Sequence, residues 1–517
     1  MTTREGSAQA LDSPIPRPGP VPDHPSPSHP LPNHPRGLAT LFFTEMWERF
    51  TYYGMRAILI LYMVEAVGRG GLGIDDQTAS SIYGLYIAAT YVFSLLGGWI
   101  GDRMTGAERA VIGGGLIITL GNALLLLSGA RTFFLGLLVI VLGVGLLKPN
   151  ISVMVAHLYP EGGSRRDAGF SMFFMGINVG AFLGGLLVPL CAARFGWRFG
   201  FALPVIGMAI GLTQFMLTRR HLAGAGAAPT ARRGPRTWIA ACLVGAGFVA
   251  IVALCYTGRL KVDPIAWSGA ASELIAFIAG GYFAYLIFFA GLTGDERKRI
   301  YVMLVLFIAT ALFYAGAEQA GASFNLFAER YMERTFFGWT MPAGVLQATT
   351  ALYVILFAPA FAALWLALGR RGKDPVVSVK FAAGLVLLSL AFLVMYVASH
   401  RVIDGIRVLP TWLLFTYLLI EWGDLCISPV GLSSMTQLAP RRFGGQVMGL
   451  FYFSLGLGNI LAGRLSLEYD AHDLQTLPRL FMKIFWCGLA GATVLLVLTP
   501  LFRRLTPRRA ELTSPAP

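Results

Sequence analysis

Fourteen apolar segments, each long enough to cross a bilayer as a helix, follow one another along this chain. They lie at 38–65, 79–100, 109–128, 132–157, 168–192, 198–218, 237–257, 271–292, 300–328, 342–369, 377–398, 409–437, 444–466 and 478–502. A helix rises 1.5 Å per residue, so about 20 apolar residues span the roughly 30 Å hydrocarbon layer. In lipid the backbone must satisfy its own hydrogen bonds. The series therefore predicts an all-α integral membrane protein with 14 transmembrane helices. Only 13% of the 517 residues are charged, about half the share usual in soluble domains (~25%). The net charge of +14 does not call for nucleic acid, because the basic residues cluster between apolar segments; the expected surroundings are a lipid bilayer.

Those clusters alternate in side. Arg103 and Arg109, Arg165 and Arg166, the run from Arg219 to Arg236, Arg297-Lys298-Arg299, Arg370-Arg371 with Lys373, Arg441-Arg442 and Arg503-Arg504 with Arg508-Arg509 fall on one face. The positive-inside rule makes that face cytoplasmic, with both termini there. The protein is expected in the cell inner (cytoplasmic) membrane. The division that follows is a Pro-rich tail at 1–36, six helices at 37–218, a flexible basic linker at 219–236, a two-helix hairpin at 237–293, six more helices at 294–505 and a tail at 506–517. The first tail has no apolar core of a secretory signal. The hairpin helices carry almost no ionisable residue besides Glu273, which predicts a peripheral packing element. The five cysteines have no metal-ligand or disulfide-framework spacing, so no metal and no cofactor are expected.

One segment departs from this apolar plan. Residues 45–56 read EMWERFTYYGMR, and Glu45, Glu48, Arg49, Tyr52 and Arg56 recur at i, i+3, i+4, i+7 and i+11, one stripe of a helix. A charged side chain at mid-bilayer costs about 2.5–3.5 kcal/mol on insertion scales. Two acids and two bases on one face imply a wet or protein-lined cavity and an ion-coupled pathway. Glu45 stands four residues before Arg49, the favourable order for a helical ion pair. Lys148, alone in its apolar helix, is predicted to need an acid from a neighbour, and protonating that acid would change how the helices pack. No nucleophile–base pattern accompanies these groups, so the chain is not expected to be an enzyme.

Two six-helix halves joined by a cytoplasmic linker resemble the major facilitator superfamily. GGWIGDRMTGAER (97–109) is similar to that superfamily's loop between its second and third helices, where Asp102 is expected to meet basic partners. EMWERFTYYG resembles the first-helix motif of the proton-dependent oligopeptide transporter family. GLLKPNIS (145–152), GFSMFFMGINVGAFLGG (169–185) and GDLCISPVGLSSMTQLAP (423–440) match further motifs of that family in order. The resemblance covers both halves and implies a proton-coupled symporter importing di- and tripeptides by alternating access, working as a monomer with protons as coupling ion. It implies proton coupling through Glu45, Glu48, Arg49, Lys148 and Glu318. It further implies that Arg56, with Lys148, takes the peptide carboxylate, and that Arg56 pairs with Glu318 to gate the outer side. Tyr52, Tyr53, Tyr91, Asn178, Tyr314, Thr350, Asp424, Phe451 and Ser454 are expected to complete the substrate site; Asp424 and Glu421 share a helical face, and an acid there would attract the peptide's ammonium.

Several positions depart from the family pattern. Asp424 replaces a glutamate, and Glu421 is an acid the pattern does not ask for. Thr350 stands for asparagine, Ala351 for proline, and Phe451 and Tyr314 for tryptophans. These changes gather on the side expected to hold the peptide's amino end. They leave open an alternative cargo such as a modified peptide, nitrate or a secondary metabolite.

Overall fold

The computed structural model describes residues 34–127, 129–159, 163–227, 263–438, 444–469 and 473–505, with isolated positions between 247 and 259. The first long helices are α1 (Arg36–Val64), α2 (Asp76–Ile100), α3 (Ala107–Leu125), α4 (Ala130–His157), α5 (Gly163–Phe195) and α6 (Trp197–Thr218). After α7 (Pro264–Ala284) come α8 (Gly294–Ala317), the short α9 (Ser323–Tyr331), α10 (Ala348–Arg370), α11 (Val377–Ile403), α12 (Thr411–Leu438), α13 (Gly444–Leu465), α14 (Thr476–Val497) and α15 (Thr499–Leu505). A two-residue-per-strand hairpin, Thr335–Phe336 with Trp339–Thr340, is the one sheet among the described residues.

Among the described residues, twelve spans are long and apolar enough to cross a membrane. The 29-residue α1, less apolar because of its ionisable stripe, is not among them. The expected span at 237–257 lies outside the described residues save isolated positions, as do both outer tails.

Local chemistry sets the helix starts. Asp75 accepts from the Thr78 amide at 2.8 Å, and Thr293 with Glu296 forms a reciprocal capping box ahead of α8. The α7 start corrects the expected one: it begins at Pro264, before residue 271, because Asp263 caps Ile265 at 3.0 Å and Ala266 at 3.2 Å. Gly106 turns the chain between α2 and α3 at φ 79°, a conformation that disfavours any Cβ.

Helix α1 packs against α2, α4, α5 and α6, while α3 lies against α4 and α6. In the other half α11 packs on α12 and α14, and α8 on α12 and α13. The halves meet along α2 with α13 and α5 with α10. Helix α7 sits outside, on α2 and α13, and turns Phe277 outward.

Close approach of α1 and α5 depends on Gly176, Gly180 and Gly184, spaced by four residues. A Cβ at these positions would run into the Phe42, Met46 and Phe50 backbone carbonyls respectively. Small residues let membrane helices approach this way. Gly180→Val is therefore expected to cost at least the ~1–3 kcal/mol of an overpacked interior. A detergent thermal-shift assay reads it as a lowered melting temperature; an unchanged one would contradict the tight crossing.

Two further expectations change. The span expected to run unbroken over 300–328 is broken, with α8 ending at Ala317, a 3-10 turn at Glu318–Gly321 and α9 restarting at Ser323. Gly316 and Gly321 flank the break, and glycine is a poor helix former. The expected flexible linker also starts as docked chain: Leu222 and Ala225 are buried, Gly226 accepts from the Glu108 amide at 3.0 Å, and Arg219 pairs with Glu108 at 3.7 Å. Asp102, expected to meet a base, is exposed and makes no ion pair among the described residues; Glu108 takes that role.

Candidate functional site

The stripe on α1 is buried, with Glu45, Glu48 and Arg49 only 2%, 1% and 3% exposed. Arg49 Nε donates to Glu48 Oε2 and lies 3.2 Å from Glu45 Oε1. The guanidinium also stands 5.1 Å from the Tyr52 ring centre. One nitrogen thus faces two acids, and Glu45 Oε2, Glu48 Oε1 and Arg49 Nη2 are buried without a hydrogen-bond partner. Two carboxylates and one guanidinium leave one negative charge in excess, costly in a buried setting unless a proton or second cation offsets it.

Lys148 is the nearby candidate for that second cation. It makes no ion pair among the described residues; its ammonium lies 4.4 Å from the Tyr91 ring centre, a cation–π contact. This corrects the expectation that it must hold an acid.

Two turns beyond Arg49, Arg56 reaches across to the other half. Its Nη2 donates to Glu318 Oε2 and its Nε to Tyr83 Oη. The Tyr53 and Tyr83 ring centres both lie 5.7 Å from the guanidinium carbon. Glu318 stands at the break after α8, where the backbone leaves the helix. Tyr83 was missed because nothing in the run of α2 tyrosines distinguishes it from packing.

On α12, Tyr417, Glu421, Asp424 and Ser428 form a second stripe at i, i+4, i+7 and i+11, opposite α8. Tyr314 Oη donates to Asp424 Oδ1 at 3.0 Å and lies 2.8 Å from Ser428 Oγ. Ser428 Oγ donates to the same Oδ1 at 2.5 Å, a partner that sequence reasoning did not single out.

Other expected site residues spend their polar groups locally. Asn178 Nδ2 donates to the Phe174 carbonyl at 3.0 Å, Thr350 to Gln347 at 2.9 Å and Ser454 to Phe451 at 2.6 Å. Phe451 is buried on α13. The described residues contain no metal-binding cluster, and Cys191, Cys426 and Cys487 are free thiols; Cys242 and Cys255 lie outside them.

Polar contacts between the halves gather at the end where α1 finishes and α2 begins. Arg330 grips Asp76 with two hydrogen bonds, 2.5 and 2.6 Å, and donates to Tyr469 Oη at 3.0 Å. Gln77 donates to the Leu467 carbonyl at 3.0 Å and Asn325 to the Ala57 carbonyl at 3.1 Å. Together with Arg56–Glu318, these join the halves on one side of the charged site.

Two helical bundles, meeting around a charged stripe deep inside a multi-pass membrane protein, define a transporter of the major facilitator type. Residues 108–487 match the family model described as POT family. The chain is 39% identical over 484 residues to the peptide transporter YePEPT of Yersinia enterocolitica, covering 90% of this chain and 94% of the relative. It is 35% identical to a di-/tripeptide transporter of Lactococcus lactis, with coverage of 81% and 86%. A crystal structure of a mutant of the peptide transporter POT in complex with alafosfalin superposes with a TM-score of 0.86 at 37% identity, covering 93% of this chain and 98% of that one. This chain belongs to the POT family.

Proposed function

We propose that the protein is a proton-coupled symporter that imports di- and tripeptides across the cytoplasmic membrane by alternating access, with both termini cytoplasmic and one chain as the working unit. The observation that carries this reading is Arg56. Its guanidinium bridges the halves through a carboxylate, Glu318, and stands on the same helical stripe as the Glu45–Glu48–Arg49 cluster, two turns beyond it. A peptide carboxylate competes for the same guanidinium. Taking it releases Glu318 and loosens the joint between the halves.

The acid cluster is suited to carry the coupling proton, for each of its acids keeps one oxygen without a partner. With a proton on one acid, the charges of the cluster balance and Lys148 is free to remain on Tyr91. Without it, the excess negative charge draws Lys148 in. Asp424, organised by Tyr314 and Ser428, suits the peptide's ammonium group. The joined far end fits a state closed to the outside and ready to release inward.

The test is uptake of a labelled dipeptide into proteoliposomes under an imposed inward proton gradient. Accumulation above equilibrium is expected and should collapse with an uncoupler. Indifference to the gradient would defeat the coupling, and absence of competition by any dipeptide would favour the alternative cargo suggested by the changes around Asp424.

A further inference from the structure

Glu421 is the acid of the site that has no task in the scheme above. It occupies the α12 stripe between two contacts with the chain around Glu318: Tyr417 Oη donates to the Ala320 carbonyl at 3.5 Å, and Asp424 accepts from Tyr314 at 3.0 Å. Glu421 is therefore held abreast of the α8 break.

Its neighbours are already engaged. Arg56 is taken by Glu318 and Tyr83, and Asp424 by two hydroxyls. Among the described residues Glu421 makes no hydrogen bond or ion pair. It is half-buried, and neither of its carboxylate oxygens belongs to the sealed, unpartnered atoms that Glu45 and Glu48 carry. It thus stands on the α12 face between the level of the Arg56–Glu318 pair and Asp424, the groups proposed for the two ends of a peptide.

We infer that Glu421 forms a cation subsite, which makes peptides bearing a lysine or arginine side chain preferred substrates. A zwitterionic peptide satisfies Arg56 and Asp424 and brings nothing for Glu421, whereas a cationic side chain supplies its missing partner. Tyr417, one turn before Glu421 on the same α12 face, offers an aromatic surface for the methylenes of such a side chain, since lysine and arginine bury their stems while their heads stay polar. The inference rests on the peptide reading above.

The experiment compares lysyl-alanine with norleucyl-alanine, which lacks only the ammonium group, in proteoliposomes holding the full chain. An imposed pH gradient drives uptake with the membrane potential clamped at zero. A charge-assisted hydrogen bond supports a preference of about tenfold in kcat/KM for the lysyl peptide. Glu421→Gln is expected to bring the ratio to about one, and Glu421→Asp to keep an intermediate ratio, since the charge stays and the reach shortens. Equal uptake of both peptides by the unmodified protein overturns the inference alone. So does a Glu421→Gln variant that slows both peptides equally with the ratio preserved, the mark of a structural role. Failure to take up either peptide overturns the peptide reading and the subsite with it.

Discussion

Arg56→Lys is expected to raise the KM for a neutral dipeptide by about ten- to a hundredfold in reconstituted uptake. The substitution keeps the positive charge, so what is lost is geometry. In the structure two separate nitrogens of Arg56 act at once, Nε on Tyr83 and Nη2 on Glu318. A guanidinium holds such donors in a rigid fork that matches a carboxylate, while an ammonium is a point charge on a flexible stem. One lost hydrogen bond to a charged group is worth about 1.5–3 kcal/mol, and 1.4 kcal/mol is a factor of ten. Arg56→Ala is the poorer test, because it strips a buried acid of its partner at about 3–5 kcal/mol and confounds binding with folding. An unchanged KM in Arg56→Lys would remove the carboxylate from this position.

The reading of the sequence succeeded where a single helix decides. The stripe from Glu45 to Arg56 needs only the helical period, and a buried helix then forces those groups inward together. Arg56–Glu318, implied by family resemblance, is indeed an ion pair here. The closure at the far end was not legible, because Asp76, Arg330 and Tyr469 come from three distant segments whose meeting depends on how the halves lie. The break at Glu318–Gly321 was hidden because the segment is apolar on both sides of it. Local competition explains Asn178, Thr350 and Ser454, whose polar groups bond to carbonyls three or four residues back in their own helices. Lys148 was misjudged for a different reason: the expectation counted only acids as partners, and the Tyr91 ring serves as well.

That last point bears on how the site is driven. If Lys148 needed an acid at all times, the cluster would be a fixed ion-pair knot. Resting 4.4 Å from the Tyr91 ring centre, it is a cation that no acid holds among the described residues, and in the proposed scheme the charge on Glu45 and Glu48 draws it in. The arginine that organises both acids commits its Nε–H to Glu48 and offers Glu45 only its charge at 3.2 Å. The two acids are thus unequal although they share one partner.

Glu48→Gln and Glu45→Gln should each abolish accumulation of peptide against its gradient while leaving exchange across the membrane. The glutamine in either variant is a permanent stand-in for a protonated acid, so the cluster is neutral on both sides of the transport cycle and the proton has nothing to change. One elementary charge crossing about 100 mV contributes roughly 2.3 kcal/mol, which corresponds to accumulation of about fiftyfold at 1.4 kcal/mol per decade. Both variants are expected to fall to a ratio near one in gradient-driven uptake. Counterflow, in which labelled peptide exchanges for unlabelled peptide with no gradient, should persist because the Arg56 side of the site is untouched. Accumulation lost in one variant alone assigns the coupling proton to that acid. Wild-type accumulation in both would show that the most conspicuous charges in the chain only hold helices together.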